Sequence, residues 1–391
     1  MIVNPRRKSV SPALIVAIML SRCCNSCLRS TSRFFAGKTN PLLLIDFAGV
    51  KIFESATVDT NILLFSRSSN MYKTVCAVTN KQNKDSVKNL SVFVQQSGAV
   101  CEFANSDSWV ILSPIEQSIK RKIEAVGTPL KDWDININRG VLTGYNEAFI
   151  ISTEKREEIL ANCQSEDERE RTAELIRPIL RGRDIKRYGY NWANLWLINT
   201  HNGIRGKLER VHIEDYPAIK AHLDQYWDRI SKRADKGDTP YNLRNCAYLE
   251  DFFKPKVVYM EIQTDNPNEG YPFPCFSYDN RNSVALNTAY IMCSNSVDVR
   301  YVLGILNSTV GRMIARLYVT QLQERQYRML AQYISKFPIA KSTLKIQDEV
   351  IIRVQKCLDS NSILNEEDIN RIVYQIYGFE SSEIAHIENL K

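Results

Sequence analysis

Apolar positions along the chain follow two spacings, and together they predict a protein of mixed strands and helices. Nearly continuous apolar runs at residues 42–47, 60–66 and 73–80 are typical of short strands buried on both faces. A helix is predicted over residues 109–126, because isoleucine recurs there at every fourth position. The stretch at 126–134, which contains a Gly and a Pro, then separates this block from a second one.

The second block alternates the same two kinds of element. Strands are predicted, from concentrated β-branched and aromatic residues, at 194–203, 254–263 and 283–293. Helices are predicted over residues 153–176, 213–235 and 299–317, and the pattern at 342–391 is that of a small helical tail. Thr153 and Asp298 are the expected N-caps of the first and third of these helices. The fold class predicted is therefore α+β.

The net charge of +7 is concentrated in one short segment. The first 38 residues contain seven Lys and Arg residues and no Asp or Glu, whereas the remainder carries as many basic as acidic side chains. The overall charge therefore does not indicate nucleic-acid binding. Only local clusters of basic residues can indicate it.

Residues 1–38 differ from the rest of the chain in pattern as well as in charge. A basic start and an apolar run at 13–20 resemble a secretory signal, but no clean small-residue cleavage pattern follows. The run is also shorter than the roughly 20 residues that a bilayer requires. We expect a non-native or disordered leader, no membrane partner and, because the cysteines are scattered, a reducing cytoplasmic location.

Sequence motifs for the common cofactors are missing. No Gly-x-Gly occurs in the 391 residues, so a glycine-rich loop for S-adenosylmethionine, a dinucleotide or a nucleoside phosphate is not visible. The four histidines are spread singly and are expected to be structural. We therefore predict no metal site and no cofactor site in this chain.

The strongest local cluster of charge is IRPILRGRDIKRYGY at residues 176–190, which holds five basic side chains and one acid. Pro178 fits the first turn of a short helix and Gly182 can end it, so the basic residues would straddle a turn. Arginine can grip a phosphate or a guanine with two parallel hydrogen bonds, which makes the cluster a candidate DNA-binding site. The alternative is that Arg177 and Arg181 pair with acids of the preceding helix while the aromatic residues lie in the core.

Two further motifs favour catalysis only weakly. Asp184-Ile185-Lys186 has the form of a nuclease triplet, but no Pro-Asp partner occurs upstream. DNPNEGYP at 265–272 shares Asn-Pro with the catalytic turn of amino-group DNA methyltransferases, yet it lacks the second proline and the adjacent aromatic residue. We expect a surface turn there.

An ordered set of segments carries a family resemblance. GVLTGYNEAFII at 140–151 precedes RPILRGRDIKRY at 177–188, and YPAIKAHLDQYWDRISKRADKGDTPYNLRNCAYLEDFFKPKVVYMEI at 216–262 precedes VLGILNSTVGRMIARLY at 302–318. In this order they resemble the TaqI-like C-terminal specificity domain of adenine-specific DNA methyltransferases and fused type II (type IIG) restriction–modification enzymes. Residues 40–67 are similar to the last strands of the methyltransferase domain in that family, just past its catalytic turn.

The resemblance, together with the leader, divides the chain into four segments. They are a leader at 1–38, a residual edge of a Rossmann-like methyltransferase sheet with a linker helix at 39–130, a mixed α/β target-recognition domain at 131–341 and a helical tail at 342–391. It also implies a complete enzyme that methylates adenine at a specific DNA site, with S-adenosylmethionine as cofactor, in a restriction–modification system.

The family's cofactor and catalytic motifs would precede the region of resemblance, and neither occurs in this sequence. We therefore expect a chain truncated on its N-terminal side and inactive alone, and we assign no catalytic residue. One alternative is a specificity subunit that complements a separate methyltransferase chain. Another is an intact enzyme whose active site has no recognisable motif.

The partner implied is double-stranded DNA. The candidate DNA-binding residues are Thr143, Asn146, Arg177, Arg181, Arg183, Lys186, Arg187 and Tyr188. Asn146 can bond either its local backbone or an adenine edge. The resemblance implies a base-reading surface without fixing which side chains read the bases.

Overall fold

The computed structural model describes residues 14–20, 34–47, 60–79, 89–103, 111–266, 270, 272–319, 321–322, 325–360 and 366–390. The chain forms two compact units, Met1–Ile119 and Lys120–Lys391. Within the described ranges, no helix is both long and apolar enough to cross a membrane. Half of the turn predicted at 265–272 lies outside the described residues, namely 267–269 and 271.

The described part of the first unit is built on a five-stranded mixed sheet. Its elements in chain order are β1 (Leu14–Leu20), β2 (Asn40–Asp46), β3 (Thr60–Ser66), β4 (Thr74–Val78), α1 (Leu90–Ser97), β5 (Ala99–Cys101) and the start of α2 (Pro114–Val126). The strand order is β1-β3-β2-β4-β5, with β2 and β4 parallel and the other neighbours antiparallel. The three strands predicted in this region are confirmed.

Burial on both faces of this sheet explains its unbroken apolar strands. Successive side chains of a strand point to opposite faces. Leu44 and Leu63 therefore pack on one face, and Ile45 packs on the other, where Phe93 of α1 covers it. A strand with two buried faces has no polar positions to show, and this produces the LLLI run of β2.

Strand β1 lies inside the segment that the sequence analysis assigned to a non-native or disordered leader. It pairs antiparallel with β3 along its whole length, from Leu14 opposite Ser66 to Leu20 opposite Thr60. Over Leu14–Leu20 the structure therefore differs from the disordered form of that prediction, since an apolar run can pair its backbone groups with an open sheet edge. Residues 1–13 and 21–33 of the leader lie outside the described residues.

The second unit holds the remaining elements. After α2 they are β6 (Gly127–Pro129), β7 (Asn136–Arg139), α3 (Asn146–Phe149), β8 (Ile150–Ser152), α4 (Thr153–Ala161), α5 (Glu166–Leu175), β9 (Ile176–Leu180), β10 (Leu195–Ile198), α6 (Pro217–Asp224), α7 (Trp227–Ile230), β11 (Lys256–Met260), β12 (Ile262–Thr264), β13 (Phe276–Asp279), β14 (Val284–Ala285), β15 (Ala289–Cys293), α8 (Val299–Asn307), α9 (Thr309–Tyr318), β16 (Gln326–Arg328), α10 (Ala331–Ile334), β17 (Pro338–Ala340), α11 (Leu344–Ser360), α12 (Glu366–Tyr377) and α13 (Ser381–Glu388).

Within the described residues, these strands form two four-stranded sheets and two strand pairs. The sheet orders are β14-β9-β10-β8 and β13-β11-β15-β7, and the pairs are β12–β16 and β17–β6. The mixed α+β class is confirmed. Buried residues of both larger sheets, such as Leu197 of β10 and Val258 of β11, belong to one continuous apolar core.

Three helices that the sequence pattern predicted as continuous are each divided in two. Asp298 caps α8 as predicted, with its carboxylate accepting the Arg300 N–H. Ser308 then ends α8, and its hydroxyl caps α9 by accepting the Gly311 N–H. At the start of α4 the cap is Ser152, not Thr153, because the Ser152 hydroxyl accepts the amide of the third helical residue.

The tail helices pack into the second unit. Gly304 of α8 permits the close approach of α11, because a Cβ at that position would lie 2.6 Å from Val350 Cγ1. On α12, the Tyr377 hydroxyl donates to the Pro338 carbonyl over 2.9 Å and accepts the Ala340 N–H over 3.1 Å. These contacts fix α11 and α12 to α8 and β17.

Candidate nucleic-acid interface

The segment from Ile176 to Leu180 is strand β9, so the short helix predicted from Pro178 is wrong. Pro178 stands opposite Trp196 of β10, and β14 pairs with β9 on its other side. Ile179 and Leu180 are fully buried. Burial between two strands outweighs the weak local preference for a helical start.

A single 3₁₀ turn at Gly182–Asp184 follows β9 and contains Arg183 of the basic cluster. The backbone at Gly182 passes close to Thr288, since its N–H donates to Thr288 Oγ1 over 3.0 Å and a Cβ would lie 2.8 Å from the Thr288 carbonyl oxygen. Only glycine fits this approach. The turn is thereby held against the β14–β15 connection.

Arg181 is neutralised within the turn. Its guanidinium grips the Asp184 carboxylate, with Nη2 2.7 Å from Oδ1 and Nε 3.0 Å from Oδ2. The Arg181 backbone N–H also donates to this carboxylate over 2.9 Å. The hydrogen bond to Asp184 raises the pKa of Arg181. The partner of Arg181 is therefore Asp184 of the turn and not an acid of the preceding helix.

The same contact removes the nuclease interpretation of Asp184-Ile185-Lys186. The Asp184 side chain is 5% exposed and committed to Arg181, whereas Lys186 is exposed at the surface. Among the described residues, no group of histidine, cysteine or acidic side chains is placed to hold a metal ion. A metal-dependent nuclease site therefore has no support from these residues.

The loop that leads into α3 presents Asn146. The Thr143 hydroxyl, on a residue 1% exposed, donates to Asn146 Oδ1 over 2.6 Å. This leaves the Nδ2 of the exposed Asn146 as a hydrogen-bond donor to a partner outside the loop. Gly144 has φ +71°, and a Cβ there would lie 2.8 Å from the Asp235 carbonyl oxygen. The loop shape thus depends on this glycine.

Arg233, which the sequence analysis missed, is the buried support of this loop. Its guanidinium donates to the carbonyl groups of Thr143, Asp235, Pro240 and Asn242. It also lies 4.4 Å from the centroid of the Phe149 ring. Burial lowers the pKa of Arg233 to about 10. No local sequence signal marks this role, because the bonded carbonyls come from distant loops.

A cleft of about 490 Å³ gathers three of the predicted residues. We call it the recognition cleft; it is lined by Asn146, Glu147, Ile150, Arg181, Arg183, Leu195, Leu286 and Thr288. Thus α3, β8, the start of β10 and the β14–β15 connection bring Asn146 into the same cavity as Arg181 and Arg183. Glu147 was not among the residues predicted from the sequence.

The recognition cleft offers both kinds of hydrogen-bonding group over an apolar floor. Arg183 is exposed and makes no hydrogen bond or ion pair with any described residue, so its five N–H donors are available. Glu147 is exposed and supplies carboxylate acceptors. Ile150, Leu195 and Leu286 supply apolar contact. These are the side-chain types that distinguish base edges in a DNA groove.

The other predicted residues are placed elsewhere. The Arg177 guanidinium lies 5.3 Å from the Phe253 ring centroid, and Lys186 is exposed. Arg187 is 12% exposed and ion-paired with Glu366, and it also donates to the carbonyls of Pro274 and Asn307.

Tyr188 is 3% exposed. Its hydroxyl has no hydrogen-bond partner among the described residues, and burial raises its pKa above the ordinary range. Arg187 and Tyr188 therefore present no group to a ligand in this conformation, which corrects their assignment to the DNA surface.

Part of this cleft lies in a region that is similar to a known family of domains. Residues 177–339 match the TaqI-like C-terminal specificity domain. This match spans less than half of the chain, and it confirms the resemblance drawn from the sequence motifs. The matched range contains Arg181, Arg183 and Thr288 of the cleft, whereas Asn146 and Glu147 precede it.

Two curated relatives extend the comparison beyond that domain. The type II methyltransferase M.XhoI of Xanthomonas vasicola is 23% identical over 299 residues, which are 74% of this chain and 48% of the relative. The type II methyltransferase M.PaeR7I of Pseudomonas aeruginosa is 21% identical over 297 residues, which are 74% of this chain and 47% of the relative. The chain spans about half the length of these relatives.

A solved structure agrees with the fold. The type IIL restriction–modification enzyme MmeI, determined in complex with DNA, matches with a TM-score of 0.53 and 13% identity. The match covers 95% of this chain and 48% of that one. At this identity the likeness establishes the shared fold alone.

Proposed function

We propose that this chain is the DNA sequence-recognition portion of a site-specific, adenine-specific DNA methyltransferase of a restriction–modification system. The observation that carries the proposal is the convergence of Arg183, Asn146 and Glu147 on one cleft beside a TaqI-like specificity domain. Double-stranded DNA is the ligand that this set of groups fits. The complete enzyme would methylate adenine with S-adenosylmethionine.

Each group of the recognition cleft has a role that its chemistry supports. The Arg183 guanidinium, which no described residue pairs with, can donate two parallel hydrogen bonds to the two acceptors of a guanine edge. Glu147 accepts from an exocyclic amine, and Asn146, whose oxygen is occupied by Thr143, donates to a base acceptor. The apolar floor suits a thymine methyl group. Lys186, exposed on the turn, supplies a point charge for a phosphate.

The sheet of the first unit supports the methyltransferase part of the proposal. We infer that it is a residual edge of a Rossmann-like methyltransferase sheet, because it combines the parallel pair β2–β4 with antiparallel neighbours. The residues of this chain do not fit a site for S-adenosylmethionine, because no Gly-x-Gly turn occurs in its sequence. We therefore derive no methyl-transfer step for it.

Salt-dependent binding of a labelled duplex, followed by fluorescence anisotropy, tests the proposal. We expect binding at low salt. The logarithm of the association constant should decrease linearly with the logarithm of the salt concentration. Arg183→Ala should weaken binding by roughly 1–3 kcal/mol and should relax the preference at one base position. Arg371→Ala, which changes an exposed arginine on α12, is the matched control. If the folded protein binds no duplex at low salt, the proposal is wrong.

The alternative partner, a separate methyltransferase chain, is tested by different measurements. If this chain were a specificity subunit, it should co-purify with the product of a neighbouring methyltransferase gene and confer sequence preference on it. Methyl transfer from labelled S-adenosylmethionine to DNA by this chain alone would instead show that it is an intact enzyme.

A further inference from the structure

A second cavity, of about 280 Å³, shares walls with the recognition cleft. Leu286 and Thr288 line the cleft, and Asn287 between them lines this cavity. The 140–147 segment is shared in the same way, because Gly140 and Leu142 line the cavity and Asn146 lines the cleft. We call the second cavity the amide pocket; its side-chain amides belong to Asn199, Asn202, Asn245 and Asn287.

Asn199, just past the end of β10, is the unusual member of this pocket. The residue is 4% exposed, and its Oδ1 has no hydrogen-bond partner among the described residues. Its backbone is satisfied, because the N–H donates to the Leu175 carbonyl over 3.2 Å and the carbonyl accepts the His201 N–H over 2.7 Å. A buried amide oxygen without a partner costs about 1–3 kcal/mol. Unlike Tyr188, Asn199 lines a cavity, and its oxygen is bound by no described residue.

Two other polar side chains of the amide pocket, those of Asn202 and His201, are held by protein contacts. Asn202 Nδ2 donates to Asp238 over 3.0 Å, and Asn202 Oδ1 accepts the Asp238 N–H over 2.8 Å. His201 Nδ1 accepts the Gly203 N–H over 3.3 Å. Burial lowers the pKa of His201, so its ring is neutral near pH 7. These two side chains are thus fixed in place, whereas the buried oxygen of Asn199 has no partner among the described residues.

The rim and the remaining wall suit a nucleotide. Arg139 and Arg244 line the pocket and are 52% and 62% exposed, and each is paired with an acid that a phosphate can replace. Tyr248 and Leu243 supply ring and apolar contact for a planar group. The volume of about 280 Å³ lies just below the usual range for ligand sites, which is about 300–1,000 Å³. It admits one base and excludes a duplex.

We propose that the amide pocket binds a single unpaired nucleobase through the Asn199 amide. An amide offers an acceptor beside a donor, and it complements a base edge that places an N–H beside an acceptor atom. A cavity of about 280 Å³ has room for one base and not for a base pair, so the base would leave the helix or come from an unpaired strand. This inference rests on the proposed function, because the base would belong to DNA held at the recognition cleft.

The four deoxynucleoside 5′-monophosphates are the probes that test the amide pocket. Isothermal titration of the full chain should detect binding of one or more of them. In Asn199→Leu, which keeps the branched shape and removes the amide, binding should be roughly tenfold weaker or lost. Asn162→Leu, on an exposed residue at the end of α4, is the matched control and should bind as the wild type does.

A stability measurement separates loss of the ligand site from loss of the fold. Replacing an unpartnered buried amide with an apolar side chain should leave the melting temperature unchanged or raise it. Weaker nucleotide binding in an equally or more stable protein therefore supports the proposal. Unchanged nucleotide binding in Asn199→Leu would overturn it.

Duplex binding distinguishes the two proposals from each other. If the protein binds a duplex but none of the four nucleotides, the amide pocket proposal is wrong and the recognition cleft stands. If it binds neither, both are wrong. If Asn199→Leu loses nucleotide binding and keeps duplex binding through Arg183, the pocket and the cleft are separate sites.

Discussion

Arg187 and Glu366 are 179 residues apart in the sequence, and their side chains form an ion pair with 3.0 Å between Nη2 and Oε2. The two side chains are 12% and 17% exposed. The guanidinium also donates to the carbonyls of Pro274 and Asn307. A residue of the basic cluster therefore fastens the first turn of α12 to Pro274 and to the end of α8.

Arg187→Met should destabilise the protein by about 3–5 kcal/mol, because Glu366 would remain buried without its partner. The double variant Arg187→Met with Glu366→Leu should recover much of this loss, since no charge is then left unpaired. Urea unfolding followed by circular dichroism measures both changes. Equal stability of the single variant and the wild type would show that the pair does not hold the tail.

Arg233→Lys should destabilise the protein by about 2–4 kcal/mol and weaken DNA binding. An ammonium group cannot reach carbonyl groups on several sides as the planar guanidinium does, so some of the carbonyls of Thr143, Asp235 and Asn242 lose a donor. Lys232→Ala, on the exposed neighbour, is the control and should change stability by less than about 0.5 kcal/mol. Unfolding curves and anisotropy titrations on both variants check the prediction.

Thr143→Val should change which DNA sequences are preferred while leaving the affinity for random duplex nearly unchanged. The variant keeps the buried shape but removes the hydroxyl that holds Asn146 Oδ1, so the Asn146 amide can turn and present its acceptor. Selection from a randomised duplex pool compares the two proteins. Asn146→Ala should alter the preference at the same position, and identical enriched sequences in all three proteins would contradict the prediction.

The free energy of unfolding should decrease as the pH is lowered below about 6.5, and His222 should cause part of this decrease. Burial lowers its pKa, and its Nε2 lies 3.0 Å from the Ala148 carbonyl oxygen. The unfolded chain, with an ordinary histidine pKa near 6.5, therefore takes up a proton first as pH decreases. The free energy of unfolding is unaffected well above pH 6.5 and decreases from about pH 6.5 towards the folded pKa.

Urea midpoints at pH 7.5 and pH 5.5 measure this effect. His222→Gln should reduce the difference between the two midpoints and leave the contribution of His201, whose pKa burial also lowers. Aspartates with lowered pKa, such as Asp224, lose their contribution only below about pH 4 and do not interfere in this range. An unchanged difference in His222→Gln would rule out His222 as the source.

The sequence by itself determined the features that local spacing encodes. Strands with two buried faces have no polar positions, so β2, β3 and β4 were visible as apolar runs. A carboxylate before a helix accepts the first free amides, so the Asp298 cap was visible as well. The family resemblance followed from the order of its motifs, and the match over residues 177–339 confirms it.

The tertiary structure determined the secondary structure of the basic cluster and the partners of its side chains. Pro178 and Gly182 have the local preferences of a helix that starts and stops, but pairing with β10 and β14 made the segment a strand. The five basic side chains look alike in sequence. Arg181 has its acid three residues away, whereas the acid that binds Arg187 comes from a helix at the far end of the chain. Local spacing cannot encode a partner at that distance, and only the folded chain leaves Arg183 unpaired at the cleft.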